Sequence, residues 1–248
     1  MLTSLEPLAR SASKLRIVFV ILATLLVTGL YSLKVILRAL LGRLDRPKMD
    51  YYTRAWASRL LHLVRMQFRV RGSAPDFRDG RRYLILCNHS SHYDIPVSFV
   101  ATSGSVRMLA KKELFRIPLL GQAMKAGDFP SIDRHNREHA LADLQVARQL
   151  MESGIVLWAA PEGTRSPDGR LQPFKKGCFH LALDTGAIIV PVAIRGIHHV
   201  LPARTFQLNL GQPVQFCFGS PIDAGEFGPD QMDSLMDRVR NQIQSMLD

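Results

Sequence analysis

A histidine and an aspartate stand five positions apart in the segment Asn88-His89-Ser90-Ser91-His92-Tyr93-Asp94. On a regular helix positions i and i+5 diverge, so His89 and Asp94 cannot share a face, but across a turn they can meet. A carboxylate on one ring nitrogen fixes the tautomer of an imidazole and stabilises its protonated form, leaving the other nitrogen as a general base. The segment follows the apolar run at 82–88 and precedes Pro96. A buried strand leading into a turn, then a proline-started helix, is where α/β folds display catalytic groups. The spacing alone is common, and the same residues admit a metal-dependent hydrolase. His89, His92 and Asp94 form H-x2-H-x-D, with His135, His139, His198 and His199 as further ligand candidates.

Two more clusters carry charge next to turn-forming residues. Lys112 lies in Lys111-Lys112-Glu113-Leu114-Phe115, and Arg134 ends Gly127-Asp128-Phe129-Pro130-Ser131-Ile132-Asp133-Arg134. Lysine offers a phosphate a point charge and arginine a bidentate fork. The run Pro161-Glu162-Gly163-Thr164-Arg165-Ser166 ends another apolar stretch and puts backbone N–H groups beside an acid and a guanidinium. Such a turn can hold an anion or position a hydroxyl. In Val190-Pro191-Val192 a proline interrupts a strand pattern, which predicts a sheet edge or a bulge lining a cleft. No Gly-x-Ser-x-Gly elbow is present, so a nucleophilic serine is not indicated. Cys87, Cys178 and Cys217 are widely spaced and odd in number, which predicts buried core thiols rather than a disulfide framework or a zinc site.

Taken in order and approximate spacing, NHSSHYD, GDFPSIDR, PEGTRS and VPV resemble the four motifs of the glycerolipid acyltransferase family, over roughly residues 65–200. That family includes the lysophosphatidate acyltransferases. The resemblance implies His89 as base and Asp94 as its orienting partner. It also implies binding of the acceptor phosphate by Arg134 and by the turn of Glu162, Gly163, Thr164 and Arg165, with Lys112 a further candidate. The implied reaction moves an acyl group from acyl-CoA or acyl carrier protein to a lysolipid hydroxyl, without metal or other cofactor. Lysophosphatidate is the default acceptor and lyso-ornithine lipid an alternative. Two departures bear on the acceptor pocket: Ala160, where the family commonly has an aromatic residue, and the extra Pro130-Ser131 before Ile132.

The elements that must position these residues follow from pattern. Residues 66–72, 82–88 and 187–196 read as strands, 155–163 as a strand running into a turn, 137–153 and 171–186 as containing helices, and 230–247 as a polar C-terminal helix. Residues 206–219 read as a hairpin or paired strands near a sheet edge. The predicted fold class is α/β, a single domain (67–248) with a mixed central sheet flanked by helices, preceded by an N-terminal membrane-embedded helical element (1–66). Residues 17–33 form an apolar run spanning about 25 Å as a helix, and Lys34 can snorkel so that the run continues to Leu37. Basic residues flank it on both sides, with more following than preceding. This favours a cytoplasmic catalytic domain, although a helix that dips into one leaflet fits the same charges. Residues 51–66 suit either a surface-lying amphipathic helix or a core-facing one.

The chain of 248 residues carries a formal charge of +11 at pH 7. An excess of that size points to an anionic partner: membrane headgroups, an acidic carrier protein or nucleic acid. Nucleic acid has charge as its only support, for no helix-turn-helix, zinc finger or aromatic strand motif accompanies it. A non-catalytic lipid-binding protein is the remaining alternative to an enzyme.

Overall fold

The computed structural model describes residues 5–8, 11–132 and 137–248, the side chains of 137–142 excepted. Helix α1 (Lys14–Leu40) is started by Ser13, whose side chain accepts from the Arg16 N–H, and α2 (Arg46–Leu63) by Asp45, which accepts from the Lys48 N–H. Both caps satisfy N–H groups that have no partner inside a helix. After strand β1 (Gln67–Arg71) come β2 (Tyr83–Cys87), α3 (Asp94–Ala101) and β3 (Val106–Met108). The short strands β4 (Ala110–Lys111) and β5 (Ser131–Ile132) bracket a 3₁₀ turn, Lys112–Arg116, and α4 (Leu120–Ala126). The chain continues through α5 (Arg137–Glu152), β6 (Val156–Ala159), α6 (Gly177–Thr185), β7 (Ile188–Arg195), β8 (Pro213–Phe218), β9 (Ile222–Asp223) and α7 (Met232–Leu247).

The main sheet runs β1-β8-β7-β2-β6-β3, with β9 also against β7. It is mixed: β2 pairs parallel with β6 and β7, whereas β7 pairs antiparallel with β8 and β9. The period-two alternation of strand side chains divides the interior into two layers. Tyr83, Ile85 and Cys87 of β2 face a core shared with Ala57, Leu60 and Leu61 of α2 and with Val97 and Phe99 of α3. Leu84 and Leu86 face the other core, with Ala147 and Met151 of α5, Phe179 of α6, and Leu235, Val239 and Ile243 of α7. Of the two readings of residues 51–66, the packing of α2 is the core-facing one.

Two local expectations are narrowed. Pro191 lies on β7 inside the sheet, opposite Leu86 of β2, and not at an edge. Its carbonyl accepts from the Gly219 N–H at 2.8 Å. A strand residue's N–H and C=O point the same way, so the missing donor faces the seam where β7 changes partner from β9 to β8. Of the two readings of residues 206–219, the structure shows a paired strand near a sheet edge and not a hairpin. Only Pro213–Phe218 is a strand, and it is clamped between β1 (parallel) and β7 (antiparallel).

Among the described residues α1 is the helix long and apolar enough to cross a membrane, with a mean hydropathy of 2.1. It does not stand free of the domain. Val20, Ser32 and Val35 are buried, Trp56 Nε1 of α2 donates to Thr28 Oγ1 at 3.0 Å, and Val35 packs with Met49 of α2 and Ala123 of α4. Its other flank exposes Leu15, Phe19, Leu22, Leu26, Leu30, Leu33 and Leu37.

Candidate active site

Strand β2 delivers Asn88 and His89 at its C-terminal end. The Asn88 side chain is locked to β7, accepting from the Ile194 N–H at 2.7 Å and donating to the Ile194 carbonyl at 3.3 Å. The chain then turns into α3, whose first residue is Asp94. One carboxylate oxygen closes this turn: Asp94 Oδ2 lies 2.6 Å from His89 Nδ1 and accepts from the Ser90 and Ser91 N–H groups at 2.8 and 3.0 Å. The H-x4-D spacing is the loop length that lets one oxygen meet a ring nitrogen and two backbone amides together. Asp94 is fully buried at a helix N-terminus, where a negative charge is favoured. The hydrogen bond assigns the Nδ1 proton toward Asp94, which leaves Nε2 as the basic nitrogen. The His89 side chain keeps 21% of its surface exposed, and its ring meets Trp158 edge-on at 6.4 Å.

The turn after β6 completes the site. Glu162 Oε1 accepts from the His89 N–H at 2.6 Å and Oε2 from the Gln172 N–H at 2.8 Å. The Ser166 N–H in turn donates to the His89 carbonyl at 2.7 Å. Both backbone groups of His89 are therefore held by the P-E-G-T-R-S segment. Burial pushes the Glu162 carboxyl up to about 7, against the two N–H bonds that favour its charged form. Gly163 has φ +72°, and a Cβ there would meet the Lys175 side chain at 3.1 Å. Thr164 is exposed and Arg165 half-buried. Arg165 is close enough to His92 to lower its pKa, second in effect to the partial burial of that ring.

His89, Asp94, Glu162 and the Gly163–Arg165 turn are thus brought together, though Glu162 faces inward onto backbone amides. Lys112 lies at the start of the 3₁₀ turn, on the rim of a groove of about 470 Å³ that it shares with Lys125 and Phe129. Arg134, His135 and the side chain of His139 lie outside the described residues. Among the described residues no group of three or more His, Cys, Asp or Glu side chains is placed to hold a metal ion. Gln172 is a site-building residue that pattern reading passed over, and the motifs gave Asn88 and Ser166 no role of their own, because what all three contribute is made by backbone groups or to them.

With this geometry in view, the acyltransferase sequence model matches residues 67–195, just over half of the chain and the whole stretch from β1 through β7. The chain belongs to the acyltransferase family. Curated acyltransferases resemble it over much of that length. A 1-acyl-sn-glycerol-3-phosphate acyltransferase of Cocos nucifera is 33% identical over 64% of this chain and 51% of its own length. The human 1-acyl-sn-glycerol-3-phosphate acyltransferase alpha is 30% identical over 74% of this chain and 66% of its own. The chain thus spans about half to two thirds of the curated relatives it matches. Among solved structures, the 1-acyl-sn-glycerophosphate (LPA) acyltransferase PlsC of Thermotoga maritima shares this acyltransferase fold, with a TM-score of 0.76 at 25% identity. That match covers 94% of this chain and 95% of that one.

Proposed function

We propose that this acyltransferase esterifies the free sn-2 hydroxyl of lysophosphatidate, giving phosphatidate, with acyl-CoA or acyl carrier protein as thioester donor and no resident cofactor. The observation that carries the reading is the 2.6 Å contact between His89 Nδ1 and Asp94 Oδ2. His89 Nε2 takes the acceptor hydroxyl proton as that oxygen attacks the thioester carbonyl carbon. The carbon–sulfur bond then breaks, and the same proton passes to the leaving thiolate. A placed general base contributes about 10²–10⁴-fold. The acceptor supplies the nucleophile, so no enzyme side chain is acylated.

Arg165, Arg134 and Lys112 meet the acceptor phosphate, with Gly163 and Thr164 shaping the turn. The inward-facing carboxylate of Glu162 serves as a positioning group, since its oxygens are engaged by two backbone amides. The protein sits on the membrane, its catalytic domain toward the cytoplasm. Because α1 packs on α2 and α4, the arrangement supported best is one in which its exposed leucines enter a single leaflet. Trp158, which the His89 ring meets, belongs to the sheet layer that α1, α2 and α3 cover, and this supports a base open to the side from which lipids arrive.

The test is acyl transfer by detergent-purified protein, offered acyl-CoA or acyl carrier protein thioester and a panel of lysolipids, beside His89→Ala. Phosphatidate formed by the wild type alone supports the reading. Transfer to lyso-ornithine lipid instead changes the acceptor and keeps the chemistry. Equal activity of the His89→Ala protein ends it.

A further inference from the structure

Between β4 and α4 the chain presents an exposed turn of which the proposed acyl-transfer chemistry uses Lys112 alone. Leu114, Ile117 and Leu119 are 39%, 43% and 43% exposed. Leu119 is held at φ +63°, ψ −54°, and the Leu120 N–H donates to the Pro118 carbonyl at 2.8 Å. That is a three-residue turn with positive φ at its centre, a rare and strained conformation, here on a non-glycine residue. Gly121 keeps the turn closed, because a Cβ there would meet the Phe115 carbonyl oxygen at 2.1 Å. The fold therefore holds a leucine outward at a conformational cost.

The surroundings of this turn are basic. Residues 111–125 contain Lys111, Lys112, Arg116 and Lys125 against the single carboxylate of Glu113. Lys112, Arg116 and Lys125 rim the groove of about 470 Å³ walled by Phe115, Phe129 and Pro130, with the carboxylate of Asp128 also lining it. The turn also adjoins the apolar helix. Ala123 and Ala126 of α4 share a small core with Val35 and Ile36 of α1, and the same end of the chain's apolar helix exposes Leu33, Leu37 and Leu40. Apolar side chains flanked by cations suit the boundary between acyl chains and anionic headgroups.

We infer that the turn at 112–121 is a second membrane-docking element, which inserts Leu114, Ile117 and Leu119 into an anionic leaflet while Arg116 and Lys125 engage its headgroups. It acts beside α1 and rests on the reading of α1 as lipid-embedded. Its consequence is to fix the tilt of the domain, so that the groove opens at headgroup depth.

The test uses the full chain in phosphatidylglycerol/phosphatidylcholine vesicles. An environment-sensitive fluorophore is placed on Leu119→Cys, with Leu114→Cys as a second site, and the three native cysteines are buried. Leu26→Cys on α1 serves as the lipid reference and Asp237→Cys on α7 as the aqueous one. Quenching by nitroxide-bearing lipid at 119 and 114, approaching that at 26, is the expected result. Arg116→Gln or Lys125→Gln should then lower the docked-to-undocked ratio about fivefold each at an anionic surface, and leave position 26 unchanged. Water-like emission at 119 and 114 with position 26 still quenched would overturn the inference alone. Water-like emission at position 26 as well would overturn the lipid-embedded reading of α1 with it. Equal quenching in vesicles of phosphatidylcholine alone would remove the headgroup half of the inference.

Discussion

The backbone N–H of His89 donates to Glu162 Oε1 at 2.6 Å, across a separation of 73 residues. The residue proposed as base is thus held at its ring by Asp94 and at its main chain by the turn proposed to meet the acceptor. A shift of either strand end moves the imidazole relative to the side chains proposed to bind the acceptor phosphate.

Replacing His89 with alanine or Asp94 with asparagine should lower kcat by about 10²–10⁴-fold. Asp94→Asn should do so with little change in KM for the lysolipid, because an amide cannot accept from Nδ1–H and two backbone N–H groups through one charged oxygen. Steady-state kinetics of purified variants checks this. A variant at either position within threefold of about the wild-type kcat would sink the assignment.

Glu162 makes a pH prediction whose sign can be worked out. Its folded-state pKa rises from 4.5 to about 7 through burial, so the folded protein binds this proton more tightly than the unfolded chain does. Its contribution is therefore most favourable below the unfolded value. It is lost as pH climbs through the window up to about 7, a total on the order of 3 kcal/mol. Glu162→Gln does not titrate, so its urea midpoint should change less between pH 5 and pH 8 than that of the wild type. Parallel curves would show that Glu162 does not set the slope. The variant should also lose about 10²-fold in kcat, since misplacing the base by an ångström costs that much.

Arg107 is buried on β3, where it pairs with Asp50 Oδ1 of α2 at 2.7 Å and donates from Nε to the Gly127 carbonyl at 2.5 Å. Asp50 Oδ2 also accepts from Ser105 Oγ at 2.5 Å. Asp50→Ala strands the guanidinium charge in the core and should cost about 3–5 kcal/mol, read by urea denaturation. Because Gly127 opens the G-D-F-P-S-I-D-R segment, Arg107→Lys should raise the KM for the acceptor more than it lowers kcat. The opposite split would confine Arg107 to a packing role.

Gly121→Ala should destabilise the protein by about 1–3 kcal/mol, because the added methyl meets backbone rather than a movable side chain. Thermal denaturation reads the loss. Gly177→Ala is the control, since a Cβ there meets nothing within 4 Å and the variant should match the wild type.

Much of this molecule was legible in the order of its residues. The H-x4-D pair, the P-E-G-T-R turn, the main strands and the apolar N-terminal helix all rest on local pattern: a spacing, a turn chemistry or a period. Local pattern could not say which strands become neighbours. Pro191 reads as an edge or bulge residue because a proline lacks a donor. Only the sheet order shows that its donorless side falls at the seam between β9 and β8. In the same way β8 has the composition of a hairpin arm, and its parallel partner β1 lies more than a hundred residues earlier. The inward turn of Glu162 was equally hidden. An acid beside an arginine in sequence suggests an ion pair, yet its oxygens go to two backbone amides supplied by other segments. The residues and spacings of the chain determined which groups are candidates for the chemistry and which helix is apolar. Tertiary structure alone decided that one flank of that helix is covered by α2 and α4 while the other is left bare. Burial and strand pairing are summed over distant segments, and no window of sequence contains them.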